Sequence, residues 1–236
     1  MLLNELYNML AYGELSNHHM ASAGDGTLLE AKRPQIVHFA NEALTRLYTK
    51  FVLKEKSCIV ELQEGNTLYR LSPEYSTTGF DNLLVDAPYI RDTVDDPFLD
   101  DVLKVLAVHT NYGGQRPLND SNNCWSVNTP TFKTLQVNLI RANEVLAVTY
   151  QAKHVVLTVP VENVDQEIEL PTSLHGALTA FIAYKVYFNM NTPESQTVSQ
   201  GHLTMFNSIC ADTTEADALN LSISGVNTRF NLGGWK

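Results

Sequence analysis

The residues best suited to chemistry in this 236-residue chain are carboxylates. Asp95-Asp96 and Asp100-Asp101 form two adjacent pairs, with Asp92 just upstream. Hard cations bind where several carboxylate oxygens converge on one point. No glycine stands at an EF-hand turn position here and no closing glutamate follows. The stretch therefore reads as a solvated acidic loop, or as a negative surface turned towards a polyanion. His18-His19 sit in a segment of small residues without acidic or cysteine partners at ligand spacing, and read as a solvated pair. His38 and His202 fall on or beside apolar helical stripes, so packing or an interface is their expected role. Cys58, Cys124 and Cys210 are odd in number and widely spaced, which gives neither a disulfide framework nor a zinc pattern. Buried structural thiols are the expectation for them. The chain has no Gly-rich phosphate cradle, no G-x-S-x-G elbow and no H-E-x-x-H helix. No catalytic residue, metal or cofactor is expected, and the chain is not expected to be an enzyme. The rival is a metal-dependent enzyme whose dispersed site would combine Asp95, Asp96 and a histidine.

The charge balance points the same way. Twenty-six acidic residues against sixteen basic ones give a net charge of -10. That argues against non-specific nucleic-acid binding through a basic face. It would suit a surface that must not hold DNA, although composition alone favours ordinary solubility. Met1 to Glu5 lack the basic region of a signal peptide. With no disulfide pattern, folding in a reducing cytoplasm is expected. No run of about 18 apolar residues offers a membrane span.

The elements that would position these residues are helices at both ends and strands between them. Residues 3–16 read as a short amphipathic helix and 18–31 as a mobile loop. Residues 34–54 make the strongest helix, with a stripe of Ile36, Ala40, Ala43, Leu44, Leu47 and Phe51. Glu42 and Arg46, four apart, are set to pair. The period then shifts to 2. Residues 58–62 and 67–71 read as a β-hairpin around Gln63–Asn66. Further strands are expected at 102–109, 131–137 and 145–151, with one more at 155–161. Residues 72–101 have no clear period.

Residues 170–212 read as a helical hairpin. Leu174, Ala177, Leu178, Phe181, Ile182 and Lys185 form the first stripe, which Tyr184, Tyr187 and Phe188 widen. Thr192 as N-cap and Pro193 at the first position restart the helix. Val198, His202, Met205, Phe206, Ile209 and Cys210 form the second stripe. Such wide stripes need partners elsewhere in the chain or in another chain. Strands bunched between helices predict an α+β fold. The expected organisation is N-terminal helices (1–56), a sandwich- or barrel-like β-rich insertion (57–169), a hairpin completing the helical bundle (170–212) and an extended C-terminal arm (213–236). The arm ends in Phe230, Leu232 and Trp235, apolar anchors that suit docking on a partner.

Several strings then take on meaning together: Lys32-Arg33-Pro34-Gln35-Ile36-Val37, Ala43-Leu44-Thr45-Arg46-Leu47-Tyr48, Arg116-Pro117-Leu118-Asn119-Asp120, Leu146-Ala147-Val148-Thr149-Tyr150 and Ala177-Leu178-Thr179-Ala180-Phe181. In this order and layout, most of residues 1–211, the acidic loop at 72–101 least of all, resembles the head-to-tail adaptor (connector) proteins of tailed bacteriophages, including the tail tubular protein A group of short-tailed phages. The resemblance implies a structural virion protein of the neck or tail, folded in the host cytoplasm. Such proteins form a ring, commonly of twelve copies, beneath the portal. The ring joins head to tail and leaves a channel through which DNA passes without specific binding. It implies as partners the portal protein and a tail tube, nozzle or tail fibre protein, with no membrane. On this reading Phe230, Leu232 and Trp235 dock on the portal, and Tyr184, Tyr187 and Phe188 meet a neighbouring copy. Asp92, Asp95, Asp96, Asp100 and Asp101 face the channel or solvent. Another neck, tail-tube or fibre-anchoring ring protein would share these features.

Overall fold

A computed structural model describes residues 1–21, 27–81, 87–141, 143–159 and 165–216. Helix and sheet are both present, as an α+β chain requires. The chain divides into two compact units. One comprises residues 1–47 and those from 155 onward, and the other comprises residues 48–154. The second is thus inserted in the sequence of the first, with boundaries at 47/48 and 154/155 against the expected 56/57 and 169/170.

The first unit is helical. In α1 (Leu3–Tyr12) the residues Leu3, Leu6, Tyr7 and Leu10, three and four apart, are buried on one side. The helix stops four residues short of the expected end. Gly13 turns the chain where an added Cβ would lie 2.8 Å from the Met9 carbonyl oxygen. Within the loop expected to be mobile, His18, Met20 and Leu28 are buried, as is Leu15 just before it. Leu29 N–H donates to the Met20 carbonyl. In α2 (Arg33–Lys50), Ile36, Ala40, Ala43, Leu44 and Leu47 are buried as the stripe predicts, and Glu42 stands 3.9 Å from Arg46. Glu42 also pairs with Lys185, at 2.6 Å.

In α3 (His175–Phe188) every residue from Ala177 to Ala183 is buried, so apolar contact surrounds the helix where a one-sided stripe was expected. A helix apolar all round belongs in an interior. It ends where Asn191 takes a left-handed φ of 53°, a conformation asparagine tolerates. Thr192 then caps α4 (Pro193–Glu215), its hydroxyl oxygen accepting from Ser195 N–H at 3.2 Å. The inward face of α4 carries Ser195, Ser199, Phe206, Cys210 and Thr213. Val198 and Met205, expected in its buried stripe, are instead exposed. Two ring contacts fix this rotation: Phe206 against Phe181 at 5.3 Å, and His202 stacked on Tyr187 at 5.5 Å. From Ser195 to Ala211 the sequence of α4 contains no Asp, Glu, Lys or Arg.

The second unit is built of β1 (Glu55–Glu61), β2 (Leu68–Arg70), β3 (Ile90–Arg91), β4 (Val102–Thr110), β5 (Gln115–Arg116), β6 (Val127–Thr131), β7 (Thr134–Val137) and β8 (Val145–Ala152). One sheet has the order β3-β1-β8-β4-β5 and the other β2-β7-β6. All the strand pairs are antiparallel. Val60, Ile90, Val108 and Val148 of the first sheet share a core with Tyr69, Leu135, Val137 and Val127 of the second.

Three strand expectations are corrected. β1 and β2 do not form a hairpin, because β1 pairs with β3 and β8 while β2 pairs with β7. Their turn is held by a side chain: Tyr69 Oη accepts from Gln63 N–H at 2.8 Å and donates to the Asn66 carbonyl at 2.9 Å. This lets the strands part into two sheets. Residues 131–137 are not one strand, since β6 turns back into β7 at Phe132-Lys133. No strand is found over 153–159. The Asn41 side chain bonds both the N–H and the carbonyl of Leu157, at 2.8 Å each, in place of a ladder. Residues 72–101, read as lacking regular structure, contain a 3-10 turn (Pro73–Tyr75) and β3.

Candidate functional surfaces

The five acidic candidates have different environments. Asp92 serves as a structural knot, its carboxylate accepting from the Thr78 hydroxyl, from Thr78 N–H at 2.8 Å and from Phe98 N–H at 2.9 Å. Burial works to raise its pKa, but these hydrogen bonds outweigh it and hold the carboxyl below the usual range. Asp100 pairs with Lys133. Asp101 pairs with Lys56 at 2.6 Å and accepts from Tyr150 Oη at 3.2 Å. Asp95 and Asp96 are exposed. Thus two of the five oppose lysines and one anchors its own loop. Among the described residues no three His, Cys, Asp or Glu side chains converge as a metal ligand set.

Beside this segment, a groove of about 470 Å³ runs between β1 and residues 91–98. Lys56 and Arg91 bring positive charge to it, Glu55, Asp92 and Asp96 negative, and the buried Phe98, Cys58 and Tyr150 supply its wall. Burial, then the nearby Asp101 carboxylate, pushes the Cys58 thiol up to about 12, so it is an inert packing group. Cys210 is also buried, whereas Cys124 is exposed, contrary to expectation.

The helical aromatics also divide. Tyr187 is committed within its own unit. It stacks on His202, meets the His18 ring edge-on at 5.3 Å and donates from Oη to the Glu14 carbonyl at 3.2 Å. Tyr184 is half-buried between Phe181 and Phe188. Phe188 is 48% exposed and borders a shallow hollow of about 380 Å³ with Pro193, Gln196, Thr197 and Gln200. Phe230, Leu232 and Trp235 lie outside the described residues.

Sequence reasoning missed two clusters. His18 is buried, contrary to a solvated pair. Its Nδ1 accepts from Met20 N–H at 3.2 Å, and its Nε2 lies 3.0 Å from the Met190 sulfur. Burial lowers its pKa, with His19 and Lys32 adding to the shift. Burial also lowers that of His202, against an opposing pull from Glu14. His38, by contrast, is exposed. The second cluster is the ion pair Arg116–Glu144, 2.6 Å apart and almost wholly buried. Arg116 also donates to the Leu139 carbonyl, Glu144 accepts from Arg141 N–H, and Arg141 lies over Trp125 at 4.3 Å. Both clusters join residues far apart in sequence, and a charge or imidazole in a polar string gives no sign of such burial.

Among the described residues no helix is long and apolar enough to cross a membrane. Comparison with known proteins finds neither a matching family model nor a matching curated sequence.

Proposed function

We propose that this chain is a structural virion subunit, the head-to-tail adaptor that joins portal to tail in a tailed bacteriophage. In this reading a helical bundle carries a β-sandwich-like insertion and an extended C-terminal arm. Copies close into a ring, commonly twelvefold, in the neck of the particle. The wall of the ring lets DNA pass without holding it, which the net charge of -10 favours. The portal sits on one side, and a tail tube, nozzle or fibre protein on the other.

The observation that carries the reading is a set of exposed apolar side chains on the helical unit. Phe188, Met190, Val198 and Met205 are each between 42 and 48% exposed, while Ser195 to Ala211 offer no charge to keep another surface away. Exposed apolar side chains without neighbouring charge mark association surfaces. A head-to-tail contact repeated between copies closes into a ring when its rotation allows.

The test is particle shape. The purified chain, mixed with portal and viewed by negative stain, should give stacked rings. A chain that stays monomeric in the presence of portal would overturn the proposal.

A further inference from the structure

The β1 edge beside the 470 Å³ groove is only half covered. Hydrogen bonds on both sides of β1 give the same alternation. Ala152 N–H donates to the Lys54 carbonyl, so even-numbered residues of β1 bond to β8. Glu61 N–H donates to the Tyr89 carbonyl, so the odd-numbered residues face the β3 side. β3 is two residues long and meets only Val60 and Ile59. After Arg91 the chain leaves the sheet, drawn off by the Asp92 carboxylate bonded to Thr78 and to Phe98 N–H. The backbone groups of Ser57 and Glu55 therefore face the groove with no strand of the described residues beside them. On the same strand Cys58 turns inward to the apolar wall, while Glu55 and Ser57 turn outward.

We propose that a second copy of this chain fills this edge with residues 218–223, added as an antiparallel strand along the line that β3 abandons. The sequence Ala218-Leu219-Asn220-Leu221-Ser222-Ile223 alternates with period 2, as a half-buried strand does. Leu219, Leu221 and Ile223 would enter the groove against Phe98 and Cys58. Asn220 and Ser222 would lie on the outer face with Ser57 and Glu55. The segment between Asp217 and Arg229 contains no charged residue, so it can run past Glu55, Lys56, Arg91, Asp92 and Asp96 without like-charge repulsion. Six extended residues span about 20 Å and the open stretch of four about 13 Å, so the donor is long enough. Strand addition to an open edge draws affinity from main-chain hydrogen bonds and specificity from alternate side-chain pockets. This inference deepens the ring reading and rests on it only in that copies must meet.

Full-length cysteine variants test it, an acceptor and two alternative donors, all carrying Cys124→Ser. The acceptor has Ser57→Cys and one donor Asn220→Cys, with Ser222→Cys as a second donor to allow for register. They are purified separately, mixed and oxidised gently, so that the expected disulfide joins different copies. Adding Leu221→Asp to the donor should reduce the cross-link about tenfold or more, the loss expected from one buried leucine. Absence of the cross-link with both donors, or equal cross-linking with Leu221→Asp, overturns the inference. Portal-bound rings without the cross-link overturn the strand exchange alone. The cross-link without portal-bound rings supports the exchange and overturns the adaptor reading alone.

Discussion

Glu144 illustrates how much can depend on one side chain. Its carboxylate is 1% exposed and Arg116 is its counter-ion. Removing one member of such a pair strands a buried charge and costs about 3–5 kcal/mol. Glu144→Ala should lower the stability of the β unit by that order in urea melts, whereas exposed Asp95→Ala should leave it unchanged. The two buried histidines set a pH dependence. Both imidazoles have depressed pKa values when folded, so the folded chain binds fewer protons than the unfolded one just below the normal value. Their contribution is complete above the unfolded value of about 6.5 and is lost as pH falls through the folded values. Urea midpoints should therefore drop between pH 7.5 and pH 5.5, and His18→Gln with His202→Gln should flatten that drop. None of this was visible in the sequence. Glu14 and Tyr187 meet across 173 positions, and Arg116 and Glu144 across 28. Asp92 read as one acid among many, because nothing local distinguishes a carboxylate that ties a loop from one that faces water.

The start of α4 was the most readable feature at the scale of elements, because its chemistry is local, whereas a 3-10 turn (Thr172–Leu174) precedes α3, whose helix was expected from Pro171. Thr192 and Pro193 announced α4, and the cap is formed by the atoms expected. Thr192→Ala should cost about 1 kcal/mol. Faces were less readable. The apolar residues of α4 allowed either Val198 or the small Ser199 to turn inward, and contacts with Phe181 and Tyr187 chose Ser199. Strand pairing was not readable at all, since an alternating pattern declares a half-buried strand without naming its partner. The aromatics at the end of α3 give a paired prediction. Tyr187→Ala removes a stack and a hydrogen bond inside the unit and should cost about 1–3 kcal/mol of stability. Phe188→Asp touches a half-exposed ring, so it should leave the melt nearly unchanged while impairing co-assembly with portal in sedimentation.

For the whole molecule, the sequence pattern conveyed an α+β chain with strands gathered between helices, because element order survives errors in element ends. It misplaced the unit boundaries by 9 and 15 residues (47 against 56, 154 against 169), since composition changes little across them. The acidic balance leads to a prediction at this scale. Double-stranded DNA should not be retained by the chain even at low salt, where electrostatic binding is strongest, in a filter or gel-shift assay. Removal of Thr228 to Lys236 should abolish portal binding in a pull-down while leaving circular dichroism unchanged.

The discontinuity of the helical unit bears on the order in which the chain acquires structure. Synthesis delivers α1 and α2 first, then the 107 residues from 48 to 154, and only afterwards α3 and α4. The inserted unit has all its strands once its last residue leaves the ribosome and can close first. The contacts of this early segment with α3, such as Glu42 with Lys185 and Arg46 over Phe181, must wait until α3 arrives. They close loops of well over a hundred residues, a slow step. On a nascent chain arrested far enough downstream that residue 154 has left the ribosome while α3 is still inside it, protease should spare the segment 48–154 and cut within 1–47.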